Sequence, residues 1–275
     1  MGLTYILHGC VEGWNAASQA MRMYAPEENL RRHLARRQSP YADPDENGDG
    51  DVLTVDDSTR GGARACLVAR EMGHSVTLFL NPSQIVSGRD YWFSRFDSLV
   101  DARQAETVRY RGRTYDLRSR AGLRAFRWAA RDEMVTGEEE LVHRLLDDLG
   151  ILLSANDARV PDFAQTIGLE DVRVLNEAGV RFGNHGWDHQ CISSLSPERQ
   201  LAQLGDTRDW LSATTGQAPR DYAVPYGQAR LDPRARAAVP GTAYLVSPIM
   251  SPYGPAADYV CRHNLTAELQ DEAGP

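Results

Sequence analysis

Short apolar runs, each followed by an amphipathic segment, set the pattern of the first third of the chain. Residues 3–7, 52–55 and 75–80 are apolar and β-prone, and polar or turn-forming residues bound each run. Residues 63–72 follow a Gly-Gly pair and carry helical periodicity. This order of strand, then helix, predicts parallel strands wrapped by helices.

The later part of the chain continues the same order. Residues 169–179 are predicted to form a helix that ends at a glycine, and residues 180–182 the strand that follows it. A capping serine and a proline begin another predicted helix, residues 197–215. Residues 259–265 are predicted to form a last strand, and we expect the acidic residues 268–275 to be frayed.

Residues 88–160 depart from the strand–helix repeat. An aromatic stretch at 91–96 precedes a predicted hairpin that turns at Gly112, and helices are predicted over 121–130 and 138–149. We therefore expect an insertion beside the main domain, which is a place where substrate selectivity commonly resides.

Composition narrows the class of protein. The chain is 42% hydrophobic and 25% charged, and no apolar run is long enough to cross a membrane. A net charge of −8 argues against nucleic acid as a partner. The first residues do not have the pattern of a signal peptide, so we expect a cytoplasmic protein. The four cysteines lie far apart and are expected to be free thiols.

Two pairs of polar residues follow predicted strands and suggest a catalytic metal site. Asp56 and Asp57 end one strand, and His185 and His189 lie in a Gly- and Asn-containing turn after another. A carboxylate and two imidazoles suit zinc, cobalt, nickel or manganese, and three protein ligands leave positions open for water and substrate. The second carboxylate of the pair can act as a base.

Each pair alone has an ordinary explanation. An Asp-Asp at a strand end is most often a helix cap or turn, and a lone His-x-x-x-His is most often incidental. Both pairs, however, follow predicted strands at the same end of a βα unit, where such folds place their chemistry. This conjunction favours a site.

The motifs resemble those of the polysaccharide deacetylases of the NodB-homology type, carbohydrate esterase family 4. Thr54-Val-Asp-Asp-Ser58 is similar to the family's Thr-Phe-Asp-Asp-Gly, and Gly183-Asn-His-Gly-Trp-Asp-His189 to its histidine motif. Ala223-Val-Pro-Tyr-Gly227 partly keeps the family's Arg-x-Pro-Tyr-Gly. The resemblance implies an α/β fold, a distorted (β/α) barrel of the NodB type with an inserted helical and hairpin region. It also implies one catalytic domain over residues 1–275.

The resemblance also implies roles for individual residues. Asp57, His185 and His189 would bind a divalent metal ion, with zinc expected and cobalt, nickel or manganese as alternatives. Asp56 would be the catalytic base, and the backbone N–H of Tyr226 would stabilise the oxyanion.

The general acid of the family is a histidine in its last motif. His263 is the first candidate for this role in the chain, and His8, at the end of the first predicted strand, is the second.

Three departures from the family pattern stand out. Ala223 replaces the arginine that orients the base, so either Arg220 or Arg262 substitutes from another direction or the base is positioned differently. Gly186 stands where the family has Ser or Thr. The family's fourth motif is not recognisable.

The function expected from this resemblance is metal-dependent N-deacetylation of an amino sugar or of an N-acetylated glycosyl or natural-product intermediate. The substrate would be a small-molecule or nucleotide- or lipid-linked N-acetylated sugar. Two alternatives remain open. One is a C–N hydrolase acting on a cyclic amide or imide, and the other is a non-catalytic carbohydrate-binding relative.

Overall fold

The computed structural model of the protein describes residues 2–44, 50–227, 230–246 and 259–272. The chain forms two compact units, the first from segments 1–15, 21–89 and 166–275 and the second from segments 16–20 and 90–165. The predicted insertion, residues 88–160, overlaps the second unit. The prediction that residues 1–275 form one catalytic domain, with 88–160 inserted in it, stays a prediction.

The strands are short and most are buried. In chain order they are β1 (Thr4–Leu7), β2 (Cys10–Val11), β3 (Ala25–Pro26), β4 (Val52–Asp56), β5 (Thr77–Leu80), β6 (Thr107–Tyr110), β7 (Arg113–Asp116), β8 (Arg181–Asn184), β9 (Tyr222–Ala223), β10 (Ala243–Leu245), β11 (Tyr259–Cys261) and β12 (His263–Asn264).

One parallel sheet organises the first unit, in the order β11-β10-β9-β8-β5-β4-β1-β12. The two ends of this order, β11 and β12, are consecutive in sequence and are separated only by Arg262. Since β11 pairs with β10 and β12 pairs with β1, this last extended segment joins the two edges. The sheet is therefore a nearly closed parallel barrel, and the predicted distorted (β/α) barrel is confirmed.

Helices connect the strands. They are α1 (Glu27–Arg36), α2 (Arg60–Glu71), α3 (Pro82–Ser87), α4 (Trp92–Ala102), α5 (Arg120–Thr136), α6 (Glu139–Leu152), α7 (Leu169–Glu177), α8 (Pro197–Thr215), α9 (Pro233–Ala237) and α10 (Leu265–Asp271). No helix among the described residues is long and apolar enough to span a membrane.

Local capping explains where the two principal barrel helices begin. The Thr59 side chain accepts a hydrogen bond from the backbone N–H of Gly62 and so caps α2. Ser196 caps α8 in the same way, and Pro197 occupies its first position. The buried face of α2 consists of small apolar residues, which allow it to lie close to β4 and β5.

The second unit has its own core. The antiparallel hairpin β6–β7 turns at Arg111 and Gly112, both with positive φ, as the glycine predicted. Phe126 of α5 lies at the centre of this core, in contact with the rings of Phe96, Tyr110 and Tyr115. Helices α4, α5 and α6 supply most of the remaining apolar side chains.

For the aromatic stretch at 91–96 the sequence predicted no element; from Trp92 on it belongs to helix α4, whose buried residues recur at helical spacing along Trp92–Ala102. One part of the secondary structure differs from expectation: residues 268–275 were expected to be frayed, but helix α10 (Leu265–Asp271) includes the first of them. Asn264 caps this helix by accepting from the N–H of Ala267, and Leu265 and Leu269 are fully buried.

Candidate active site

The ends of two barrel strands deliver the predicted site residues. Asp56 is the last residue of β4, and Asp57 follows it, while His185 follows β8 directly. Asp57, His189 and Tyr226 have φ values of 74°, 59° and 63°. Such conformations cost non-glycine residues on the order of 1–3 kcal/mol each, and they typically cluster at functional sites.

Asp57, His185 and His189 converge on one point. Asp57 Oδ1 lies 3.5 Å from Nε2 of His185 and 3.3 Å from Nε2 of His189. One ligand atom from each residue lies within 4.8 Å of the others, and all three side chains are buried. The structure thus brings together the three residues that were predicted as ligands.

The donor set fits a divalent metal ion. Asp57 Oδ1 is buried and, within the described part of the chain, accepts no hydrogen bond. Burial raises the pKa of Asp57, but His189 and His185 beside it hold that pKa well below its usual value. An ionised carboxylate oxygen in this position would be satisfied by a cation.

The orientation of His185 leaves its Nε2 available for coordination. Its Nδ1 donates to the carbonyl oxygen of Ala223 at 2.8 Å. This bond fixes the tautomer, so the lone pair on Nε2 points toward Asp57. Although Ala223 lacks the family's arginine side chain, its backbone therefore serves the site.

Arg262 holds Asp56 through two parallel hydrogen bonds. Nη1 donates to Oδ1 of Asp56 at 2.7 Å and Nη2 donates to Oδ2 at 2.6 Å. Nη1 also contacts Oγ1 of Thr54 at 3.1 Å. Of the two arginines that the sequence allowed, Arg262 thus pairs with the predicted base, and it comes from the segment that closes the barrel.

Aromatic rings surround the Arg262 guanidinium. Its central carbon lies 5.8 Å from the ring centroid of Phe79 and 5.7 Å from that of Tyr244. Burial raises the pKa of Asp56, but the Arg262 cation and His185 bring it below its ordinary value. Asp56 is therefore ionised and oriented, as a base must be.

Tyr226 lies beside the histidines. Its ring centroid is 4.8 Å from that of His189, in an edge-to-face contact. Tyr226 belongs to the turn Pro225–Gly227 that follows β9. That its backbone N–H stabilises an oxyanion stays a prediction.

The two candidate general acids lie in different places. β1 pairs with β4 with Leu7 opposite Val55, so His8 follows in register beside Asp56. Burial lowers the pKa of His8, although the charges of Asp57 and Asp56 raise it. The half-buried His8 thus belongs to the site.

His263 is not brought to the site. It is exposed, and because side chains alternate along a strand, it points away from the side that Arg262 occupies. Its ring lies 5.8 Å from that of Tyr5 instead.

Sequence reasoning missed the residues that support the histidine turn, above all Asn81 and Gln203. Neither belongs to a family motif, and each comes from a part of the fold other than the histidine turn: Asn81 precedes α3 and Gln203 lies in α8. Gly186, where the family has Ser or Thr, has a φ of 78°, and a Cβ there would lie 3.2 Å from Oε1 of Gln203. The glycine thus suits both the turn and the close approach of Gln203.

Comparison with known proteins supports the resemblance. The sequence profile of the family "Polysaccharide deacetylase" matches residues 152–244, a segment that contains both histidines and the turn at Tyr226. The peptidoglycan-N-acetylmuramic acid deacetylase PdaC of Bacillus subtilis is 34% identical over 70 residues, which is 26% of this chain and 14% of the relative. The matched region is thus about one seventh of that protein.

Solved structures share the fold. IcaB from Ammonifex degensii superposes with a TM-score of 0.50 at 14% identity, covering 99% of this chain and 94% of that one. A polysaccharide deacetylase from Bacillus cereus gives 0.51 at 11% identity, covering 98% and 67%. The resemblance to the polysaccharide deacetylases is therefore confirmed.

Proposed function

We propose that this chain, which is related to the polysaccharide deacetylases, is a metal-dependent hydrolase that removes the N-acetyl group of an amino sugar. One observation carries the proposal: the buried group Asp57, His185 and His189 lies next to an ionised Asp56 that Arg262 holds by two hydrogen bonds. Ligands and base occur together, as amide hydrolysis at a metal site requires.

Asp57, His185 and His189 would hold the ion. When bound, a divalent metal supplies Lewis acidity and lowers the pKa of water toward about 7. The chain itself fixes the ligands: the bond from His185 to the Ala223 carbonyl sets one imidazole, and the backbone turn sets the other.

Asp56 is assigned as the base. Arg262 engages both of its oxygens, yet each carboxylate oxygen has two lone pairs, so either can still accept a proton from the attacking water. The two bonds to Arg262 fix the direction in which Asp56 accepts it. The Tyr226 backbone N–H is assigned to the developing oxyanion.

Cleavage of the C–N bond needs a proton on the leaving amine. We assign this step to His8, which lies beside Asp56: its unprotonated ring nitrogen takes up the proton that Asp56 received from water, and its N–H gives a proton to the amine, so the ring ends neutral. His263 would have to cross to the other side of its strand to serve instead.

Metal analysis tests the proposal first. The purified wild-type protein is expected to bind one divalent ion, whereas Asp57→Ala is expected to lose it. Metal-free wild-type protein after incubation with excess zinc, cobalt, nickel and manganese would rule the proposal out.

Acetate release then tests the reaction. A panel of N-acetylated free, nucleotide-linked and lipid-linked amino sugars is offered to wild type and to Asp56→Asn. The variant is expected to keep its metal and to lose about 10²–10⁴-fold in kcat, since it lacks the base. Ring opening of a cyclic amide or imide without acetate release would instead favour the C–N hydrolase. Metal binding without turnover of any substrate would favour a carbohydrate-binding relative.

A further inference from the structure

Carboxamide side chains from three separate elements support the turn that carries both histidines, residues 184–189. Asn81 precedes α3, Asn184 ends β8 and Gln203 lies in α8. Each bonds to backbone groups of this turn rather than to the imidazole rings.

Asn81 binds the carbonyl side of the turn. Its Nδ2 donates to the carbonyl oxygen of His185 at 2.6 Å and to that of Gly186 at 3.0 Å. The residue is fully buried, and its own backbone N–H donates to Oγ of Ser58 at 3.0 Å. Because Ser58 follows Asp57, Asn81 connects the segments that carry the carboxylate and the histidines.

Gln203 and Asn184 accept hydrogen bonds from the backbone N–H groups of the turn. Oε1 of Gln203 accepts from the backbone N–H of Trp187 at 2.6 Å and of Asp188 at 3.3 Å. Oδ1 of Asn184 accepts from the N–H of Gly186 at 2.9 Å. The polar groups between the two histidines are thus paired on both sides.

This turn cannot rely on regular secondary structure. Gly186 and His189 have φ values of 78° and 59°, so the backbone leaves the geometry of β8 immediately after the strand. Buried backbone groups need partners, and here neutral side chains supply them. Neutral amides add no charge that would attract or repel a cation.

We propose that Asn81 and Gln203 are positioning residues that hold His185 and His189 in the ligating geometry, so that metal affinity depends on them. The inference rests on the proposed function, since it needs a metal at Asp57, His185 and His189. Residues supporting metal ligands typically contribute about 10–100-fold in affinity.

Matched variants separate hydrogen bonding from size. Gln203→Met keeps the length of the side chain but removes the acceptor oxygen, Oε1. Gln203→Glu keeps both the length and an acceptor oxygen. Asn81→Asp keeps the size but removes the donor to two carbonyls. Asn264→Asp makes the same substitution where the side chain only accepts, from the N–H of Ala267, and serves as control.

Cobalt(II) titration, followed by the visible absorption of the bound ion, gives both affinity and ligand geometry. Gln203→Met and Asn81→Asp are expected to raise the Co²⁺ dissociation constant about tenfold or more and to change the spectrum. Gln203→Glu keeps the acceptor and is expected to keep the wild-type spectrum, which reports ligand geometry separately from the attraction of its added charge for Co²⁺. Asn264→Asp is expected to stay within about threefold of wild type in affinity.

Three outcomes are distinguishable. Weakened binding and an altered spectrum in folded Gln203→Met, with the wild-type spectrum kept in Gln203→Glu, support the inference even if Asn81→Asp fails to fold. Wild-type affinity and spectrum in folded Gln203→Met and Asn81→Asp would overturn it and leave the proposed function standing. Absence of cobalt binding by the wild type would overturn the inference together with the proposed metal site.

Discussion

At the scale of single residues, the arginine that pairs with Asp56 comes from a different position than in the family motif. The position that carries the family's third-motif arginine is Ala223, whose carbonyl oxygen instead fixes the tautomer of His185. Arg262 reaches the proposed base, Asp56, from the closing strand segment and binds both of its carboxylate oxygens, a contact for which guanidinium is suited. The charge next to Asp56 is thus supplied by a residue 206 positions away.

Removal of the Arg262 charge should shift the pH profile. The folded-state pKa of Asp56 lies below its usual value partly because of this cation, and the base works only when ionised. In Arg262→Met the pKa of Asp56 is expected to rise, because the cation that lowers it is gone, and this moves the acid limb of kcat/KM to higher pH. Steady-state rates between pH 4 and 8 measure the shift.

Two comparisons control this experiment. Arg262→Lys keeps the charge but not the paired geometry and should lie between wild type and Arg262→Met. Arg220→Met alters the other arginine that the sequence allowed and should leave the acid limb in place. An unchanged profile in active Arg262→Met would contradict the role of this pair.

At the scale of elements, an ion-pair network joins α1 to α2. Glu27 in the first turn of α1 is almost fully buried, and its carboxylate binds Arg64 of α2 at 2.7 and 2.8 Å. Arg31, one turn later in α1, adds a bond of 2.8 Å. The first helix is therefore attached to the barrel helix that begins just after Asp57.

Neutralising Glu27 should reduce stability at neutral pH. The hydrogen bonds from Arg64, against burial, hold the pKa of Glu27 below its usual 4.5. Stability from this group is therefore present above about pH 4.5 and is lost as pH falls through the folded-state pKa. Glu27→Gln is expected to lose about 1–3 kcal/mol at pH 7 and to show a smaller further loss in acid.

Urea unfolding at pH 7 and pH 4 measures both effects. Glu28→Gln changes the adjacent, exposed glutamate and should behave like wild type at pH 7. Equal stability of wild type and Glu27→Gln at pH 7 would show that the network contributes nothing.

At the scale of the whole molecule, the barrel depends on its last segment. β11 and β12 pair with β10 and β1, and α10 buries Leu265 and Leu269 behind them. A chain that ends at residue 258 would expose two strand edges and leave Asp56 buried without its cation.

A broken buried ion pair alone costs about 3–5 kcal/mol of stability. The truncated chain is therefore expected to aggregate and to show no cooperative unfolding transition. Thermal unfolding followed by circular dichroism tests this, with a chain ending at residue 272 as control. A cooperative transition at the wild-type temperature would show that the barrel does not need its closing segment.

Much of the barrel could be predicted because its information is local. Strand β4, helix α8 and the histidine turn each carry their pattern, caps or motif within a few residues. The grouping of Asp57 with His185 and His189 followed from the rule that parallel strands end at one edge, although their role as ligands stays a prediction. What could not be predicted depends on distant partners.

Arg262 and His263 illustrate this limit. They are neighbours in sequence, and only the pairing of the closing segment with both barrel edges decides which of them points to Asp56. The roles of Asn81 and Gln203 could not be predicted for the same reason, because their hydrogen bonds to the histidine turn span 104 and 16 positions. Helix α10 was not predicted because it has few buried leucines and its acidic residues suggested a frayed end.

The late position of Arg262 has a consequence for the newly made chain. Ribosomes add about 5–20 residues per second, so the 206 positions between Asp56 and Arg262 correspond to roughly 10–40 s of synthesis. His189 precedes Arg262 by 73 positions, so for about the last 4–15 s of this interval Asp57 and both histidines are already made and the nascent chain could take up a metal ion. It would still lack the cation that ionises and aims its base. Hydrolysis should therefore begin only after Arg262 has been made and has paired with Asp56.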